Sequence, residues 1–306
     1  MIYDVIIIGG GAAGITAAIY AKRALLSTVL IEENFLGGQI ITATEIDNYS
    51  GFTSIDGVSL AKQFQIHAEK METQVINSKV IKIENGDIKK VILQNGDTLE
   101  SKTIIYATGA SHKSLGIEGE SRLIGSGVSY CAVCDGAFFR KKCVAVIGGG
   151  DTAVKEALYL SRICEKVYLV HRRDTLRAAK YLQEKIKITK NIECLFNYIP
   201  VKITGEFSVE QLQLQQVQSK EYHYLDVKGI FIAVGMEPKT ELLKEICKLD
   251  SSGYVVAGED CKTSAEGIFV AGDVRTKEVR QIITAASDGA NAAIQAEMYL
   301  SENKVQ

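Results

Sequence analysis

Two stretches of this chain repeat one pattern, and the repeat limits the fold more than any overall composition does. Tyr3-Asp4-Val5-Ile6-Ile7-Ile8 is a short apolar run of the kind shown by a parallel strand buried on both faces, and Gly9-Gly10-Gly11-Ala12-Ala13-Gly14 opens an Ala-rich helix after it. The unit returns as Cys143-Val144-Ala145-Val146-Ile147, then Gly148-Gly149-Gly150-Asp151-Thr152-Ala153 and a helical stretch from Val154 to Leu160. Each copy leads to a second apolar strand, Thr28-Val29-Leu30-Ile31 and Lys166-Val167-Tyr168-Leu169-Val170. One glycine-rich turn is weak evidence, but two in strand-turn-helix context predict two dinucleotide-binding folds. Glycine lets the chain turn tightly and brings backbone N–H groups to a pyrophosphate, and the helix N-terminus adds favourable potential. The third small position, Gly14 or Ala153, lets the helix pack close on its strand.

The residues at the end of each second strand separate the two ligands. Counting 21 positions on from Gly11 reaches Glu32, where a carboxylate can accept hydrogen bonds from ribose hydroxyls, which suits an adenosine with a free 2′-OH. Counting 21 on from Gly150 reaches His171, then Arg172, Arg173 and, one turn later, Arg177. A carboxylate there would repel a 2′-phosphate, whereas a guanidinium fork binds one bidentately, so the second turn reads as an NADP(H) site. The alternative for the arginines is a solvated basic helix start.

Cys131-Ala132-Val133-Cys134-Asp135 adds redox chemistry to this frame: two thiols spaced CxxC can close on each other, and an adjacent acid can manage their protons. Half of a structural zinc site looks the same, but such pairs come with a second CxxC or a Cys/His pair. Cys143, Cys164, Cys194, Cys247 and Cys261 stand singly, and the four histidines form no HxxxH pair, so no metal site is expected. The single cysteines read as small buried hydrophobes in a reducing, cytoplasmic setting. With 306 residues, 46% of them hydrophobic, the chain can fill two domains. The net charge of −2 leaves no basic footprint for nucleic acid and no polybasic stretch for a membrane surface. The apolar runs are shorter than the ~20 residues of a membrane helix. No charged region precedes a hydrophobic one at the N-terminus, so no signal peptide is expected.

Three further apolar runs end in small turns: Thr103 to Gly109, Gly229 to Gly235 and Gly267 to Asp273. Placing all of them predicts an α/β protein with two Rossmann-like, three-layer nucleotide-binding domains, the second inserted in the first. The outer domain would take residues 1–113 and 243–306, and the inserted one 114–242, with Leu115 to Glu120 and Met236 to Thr240 as paired connectors.

Taken together, the glycine turn Gly9 to Gly14 with Glu32, Gly37-Gly38-Gln39, Ala107-Thr108-Gly109, Cys131 to Gly136, Gly148 to Ala153, His171-Arg172-Arg173, Gly272-Asp273 and Arg280-Gln281 resemble the low-molecular-weight, bacterial-type thioredoxin reductases, over essentially the whole chain. The resemblance implies FAD in the outer domain, NADPH in the inserted one, a homodimer, and thioredoxin or a thioredoxin-like protein as disulfide substrate. By match, Gly9, Gly11, Ala12, Ala13, Gly14, Glu32, Gly38, Gln39, Asn48, Ala107, Thr108, Gly109, Gly272, Asp273, Arg280 and Gln281 would form the FAD site. Asp273 would bond the ribityl chain. Gly148, Gly150, Asp151, Thr152, His171, Arg172, Arg173 and Arg177 would form the NADPH site. The chain departs from the family pattern in having Asp151 where Asn is frequent and Lys155 where Glu is expected.

The implied reaction passes a hydride from NADPH to the flavin and two electrons on to a Cys131–Cys134 disulfide, whose dithiol reduces a partner. The resemblance makes Cys134 the thiol facing the flavin and Cys131 the one attacking the partner. Asp135 would handle protons, with a turn carboxylate satisfied by backbone N–H groups as the alternative. The dithiol must meet both flavin and partner, which predicts rotation of the inserted domain about its connectors. Two other readings are a related flavin dithiol reductase or oxidase acting on another protein or small-molecule disulfide, and a non-catalytic nucleotide-binding regulator.

Overall fold

The computed structural model describes residues 1–43 and 45–302, so Thr44 and positions 303–306 of the expected outer domain lie outside the described residues. In chain order the elements begin β1 (Ile2–Ile8), α1 (Ala12–Arg23), β2 (Thr28–Glu32), α2 (Gly57–Lys70), β3 (Gln74–Asn77), β4 (Val80–Glu84), β5 (Lys89–Leu93), β6 (Thr98–Tyr106) and β7 (Ala110–His112). Next come α3 (Glu120–Leu123), β8 (Val128–Ser129), α4 (Ala132–Asp135), β9 (Cys143–Ile147), α5 (Asp151–Leu160), β10 (Lys166–His171), α6 (Lys180–Ile188) and β11 (Ile192–Phe196). The chain closes with β12 (Tyr198–Thr204), β13 (Gln211–Gln216), β14 (Tyr222–Asp226), β15 (Gly229–Ile232), β16 (Met236–Pro238), β17 (Ile268–Val270) and α7 (Ile282–Glu302). These divide into one unit of residues Met1–Ser111 and Glu237–Gln306 and an inserted unit, His112–Met236. The segment Leu115 to Glu120 lies inside the inserted unit, and the two strands at the chain crossings, β7 and β16, pair with each other.

The first unit is built on a seven-stranded sheet in the order β3-β2-β1-β6-β5-β4, with β17 also pairing β6. β1, β2, β3, β6 and β17 run parallel, and β4 and β5 antiparallel. The apolar run of β1 is continuous because both its faces are covered. Val5 and Ile7 face α1, α2 and α7 through Ile15, Leu60, Phe64 and Ala296. Ile6 and Ile8 face Val91, Leu93, Leu243 and Val255. The layer opposite the helices therefore comes from the β4–β5 ribbon and the segment before β17, which continuous apolar runs alone do not reveal. Helices α1 and α7 approach closely because α7 carries Gly289, where a Cβ would lie 2.1 Å from the Ala13 carbonyl oxygen.

The inserted unit has a five-stranded parallel sheet, β11-β10-β9-β15-β8, with β9 in register beside β10 and β15. One face packs on α5 and α6 through Val144, Val146, Leu169, Val154, Ala157 and Leu182. The other packs on the antiparallel sheet β12-β13-β14 through Ala145, Ile147, Val170, Leu212, Leu214 and Leu225. Each unit thus has helices on one side of a central sheet and β-structure on the other.

Candidate functional site

In the first unit the strand-turn-helix unit brings distant segments to one place. Gly9 has φ +106° and its N–H donates to the Ile31 carbonyl at 2.8 Å, which turns the chain off β1. A Cβ on Gly9 would lie 2.4 Å from the Ala107 oxygen, and one on Gly14 would lie 1.7 Å from the Gly9 oxygen, so both positions exclude any other residue. Gly38 sits over Gly11, Gly272 over Ala13, and Gly11 itself meets nothing within 4 Å of its Cβ direction. Gly11 caps α1 without a side-chain hydrogen bond. The Glu32 carboxylate accepts from Gly10 N at 2.5 Å and from Asn34 N at 2.8 Å, which fixes it at the turn while leaving further lone pairs.

Around this turn, Gln39 Nε2 donates to the Ala110 carbonyl at 2.5 Å, Thr108 Oγ1 donates to Lys239 O at 2.8 Å, and Gly109 lies beside Gln39. Asn48 Nδ2 donates to Gln281 Oε1 at 3.1 Å, and the Arg280 guanidinium lies 4.2 Å from the Tyr254 ring centre. Asp273 Oδ1 and Arg280 Nε are buried with no hydrogen-bond partner among the described residues. Burial raises the Asp273 pKa, opposed by Lys277 and Arg280 and assisted by Asp288. A buried acceptor without a donor beside a bare glycine turn fits a polyhydroxyl and pyrophosphate group such as FAD presents.

Asp288 is a residue that motif reading misses. It is 2% exposed on α7, and its carboxylate accepts from Gly272 N at 2.9 Å, Arg275 Nε at 2.9 Å, Arg275 Nη2 at 2.7 Å and Lys277 Nζ at 2.8 Å. Burial pushes its pKa up, but the bonds from Arg275 and Lys277 outweigh that and hold it low. Asp288 thereby anchors the turn that presents Asp273. Its one sequence signal is an acid among the small and apolar residues of α7.

The second turn repeats the geometry. Gly148 has φ +154°, and a Cβ there would lie 2.4 Å from the Ala233 oxygen, while Gly150 meets nothing within 4 Å and caps α5 without a side-chain bond. The arginine segment folds back onto this turn: Arg177 N and Ala178 N donate to Gly149 O at 2.7 and 3.2 Å, and Ala179 N donates to Asp151 Oδ1 at 2.8 Å. Arg172, Arg173 and Arg177 are exposed, as are Asp151 and Thr152. His171 stands apart from them: its ring packs on Gly149, 5% exposed, with Nε2 unpartnered among the described residues. Burial lowers its pKa, followed by the charges of Arg177, Arg173 and Arg172, so it is neutral at pH 7. An exposed arginine cluster tethered to a bare glycine turn fits a phosphorylated dinucleotide.

Cys131 and Cys134 are joined in a disulfide, with Cα atoms 5.3 Å apart. Cys131 caps the single turn α4 and Cys134 lies within it; Cys134 N donates to Cys131 Sγ at 3.2 Å and Asp135 N to Cys131 O at 3.1 Å. Asp135 does not cap backbone N–H groups; its Oδ2 accepts from Ser129 Oγ at 2.5 Å, and Ser129 Oγ accepts from Cys131 N at 3.0 Å. Burial raises the Asp135 pKa against the Ser129 hydrogen bond, which suits a carboxyl that takes up and gives back a proton. The other five cysteines are free, with Cys164, Cys247 and Cys261 buried and Cys143 and Cys194 partly so. No cluster of metal-binding side chains occurs among the described residues.

A family model described as pyridine nucleotide-disulphide oxidoreductase matches residues 3–289. The thioredoxin reductase of Listeria innocua is 41% identical over 304 residues, covering 99% of this chain and 95% of the relative. That of Treponema pallidum is 44% identical over 299 residues, covering 97% of each. The crystal structure of thioredoxin reductase from Streptococcus pyogenes superposes with a TM-score of 0.93 at 42% identity, covering 98% of this chain and 99% of that one.

Proposed function

This chain belongs to the pyridine nucleotide-disulphide oxidoreductase family, and we propose that it uses NADPH to reduce the disulfide of thioredoxin or a thioredoxin-like protein through FAD and the Cys131–Cys134 pair. The observation that carries this is the Cys131–Cys134 disulfide on α4, with Asp135 and Ser129 hydrogen-bonded against it. Gly9, Gly11, Gly14, Glu32, Gly38 and Asp273 would hold FAD, which when bound supplies a ring able to carry two electrons between coenzyme and disulfide. Arg172, Arg173 and Arg177 would hold the 2′-phosphate of NADPH. Reduction of the pair takes two electrons and two protons and leaves two thiols. Cys131 then attacks the partner's disulfide, forming a mixed disulfide, and Cys134 displaces the partner as its dithiol while the Cys131–Cys134 bond re-forms. Asp135 accepts and returns the proton that these exchanges move. The reading extends to a homodimer in the cytoplasm. It is tested by assaying the purified protein with NADPH or NADH against several thioredoxins and a low-molecular-weight disulfide. NADPH-dependent thioredoxin reduction is expected, and no disulfide reduction with either coenzyme would overturn it.

A further inference from the structure

A second carboxyl group lies against the redox turn, apart from the Asp135–Ser129 pair. Helix α5, which begins at the second glycine turn, packs against α4, and the residues after the disulfide are pressed onto it. A Cβ on Gly136 would lie 3.1 Å from both Leu160 Cδ2 and Tyr159 Cε1. Within this packed region Glu156 Oε1 faces Ala132 N, the residue after Cys131, at 3.5 Å. Glu156 Oε2 is buried and has no partner among the described residues. A neutral side chain would fill the same space, and an unpaired buried oxygen is costly, so its presence calls for a role.

We propose that Glu156 is a positioning residue for the Cys131–Cys134 couple, holding the first turn of α4 through Ala132 N and setting by its own charge how readily Cys131 ionises once the disulfide is open. The inference rests on the reading of the pair as the redox centre. Burial brings the Glu156 carboxyl up to about 7, opposed by the Ala132 hydrogen bond, and no charged side chain of α4, α6, β9 or β10 contributes. The titratable groups on the turn packed against it are Cys131, Cys134 and Asp135, and those on its own helix are Asp151 and Lys155, both exposed, and Tyr159, half-buried against Gly136. Near neutrality, therefore, Glu156 switches between a carboxylate, which opposes a thiolate on the turn it holds, and a neutral acid, which does not. Opening the disulfide adds two electrons and two protons to the pair. The proton that Cys131 gives up on becoming the attacking thiolate passes to Asp135, and Glu156 acts on that ionisation through its charge alone.

The test is the rate of iodoacetamide labelling of Cys131 in the NADPH-reduced holoenzyme from pH 5 to 9, read peptide by peptide by mass spectrometry. The wild-type profile should carry two inflections, that of the thiol and a lower one near neutrality. In Glu156→Gln, which keeps an acceptor for Ala132 N, the lower inflection should vanish and labelling at pH 7.5 should rise at least threefold. Glu156→Asp, which keeps the charge, should retain both inflections. A Gln profile that superimposes on wild type would overturn the proposal, as would a lower inflection that survives in Glu156→Gln and disappears in Asp135→Asn. Absence of any NADPH-dependent thiol formation in the wild type would instead overturn the redox reading itself.

Discussion

Asp288 is buried and Glu156 half-buried with Oε2 sealed from solvent, and their surroundings drive their carboxyl groups in opposite directions. Asp288 receives four hydrogen bonds, three from cationic side chains, and stays ionised. Removing it leaves Arg275, itself 2% exposed, without its main partner. Breaking a buried ion pair costs about 3–5 kcal/mol, so Asp288→Ala should lower urea stability by that order and, by loosening the Gly272–Asp273 turn, release flavin during purification. Unchanged stability with full flavin content would contradict its anchoring role. Glu156 has one weak bond and is raised from 4.5 to about 7. A carboxyl raised in the folded state contributes stability at low pH that is lost as pH climbs through its folded pKa. Between pH 4.5 and about 7 this amounts to about 3 kcal/mol against a side chain that does not titrate. Glu156→Gln should therefore gain relative to wild type on going from pH 4.5 to pH 8 in urea titrations. Neither acid is legible in the sequence as a site, because their partners come from other segments: Ala132 is 24 positions from Glu156, and Gly272 is 16 from Asp288.

At the scale of elements, the two glycine turns share a shape but differ in tolerance. In the first, a Cβ at Gly14 would lie 1.7 Å from the Gly9 oxygen, whereas the second already accommodates Ala153. Gly14→Ala should force α1 away from β1 and yield a colourless protein, and Ala153→Gly should cost only about 1 kcal/mol of helix stability. Absorbance at the flavin band and thermal unfolding separate these outcomes. The second turn also accounts for one departure from the family pattern: Asp151 uses Oδ1 to accept from Ala179 N, an acceptor that Asn also offers. Asp151→Asn should keep NADPH binding and Asp151→Ala should weaken it several-fold by freeing the Arg177 segment, measured by titration with 2′,5′-ADP. Arg172→Ala with Arg173→Ala should weaken NADPH at least about tenfold, since each charge-assisted bond contributes ~1.5–3 kcal/mol, and leave NADH little changed. Strand-turn-helix units are readable because apolar run and glycine turn are local signals. The ribbons β4–β5 and β12–β14 are not, since their partly exposed strands lack a continuous apolar run. Local spacing groups the His171 ring with the arginines, but it does not tell which way a side chain turns, and Gly149 leaves the space it fills.

For the whole molecule, one architecture serves twice, and the chemistry is supplied by what each copy adds. The first unit adds a buried acceptor, Asp273, to its glycine turn, and the inserted unit adds exposed arginines and a disulfide on a one-turn helix. The central claim is that the Cys131–Cys134 bond is the relay through which electrons from NADPH reach a partner disulfide. The most direct test is anaerobic titration of wild-type, Cys131→Ser and Cys134→Ser holoenzymes with NADPH and oxidised thioredoxin, following flavin absorbance and thiol release. In the wild type one thioredoxin disulfide should open for each NADPH consumed. Both variants should still bleach the flavin with NADPH yet release no thioredoxin thiols, with Cys134→Ser trapping thioredoxin as a mixed disulfide through Cys131. Thioredoxin reduction that continues at the wild-type rate in either variant would contradict the account.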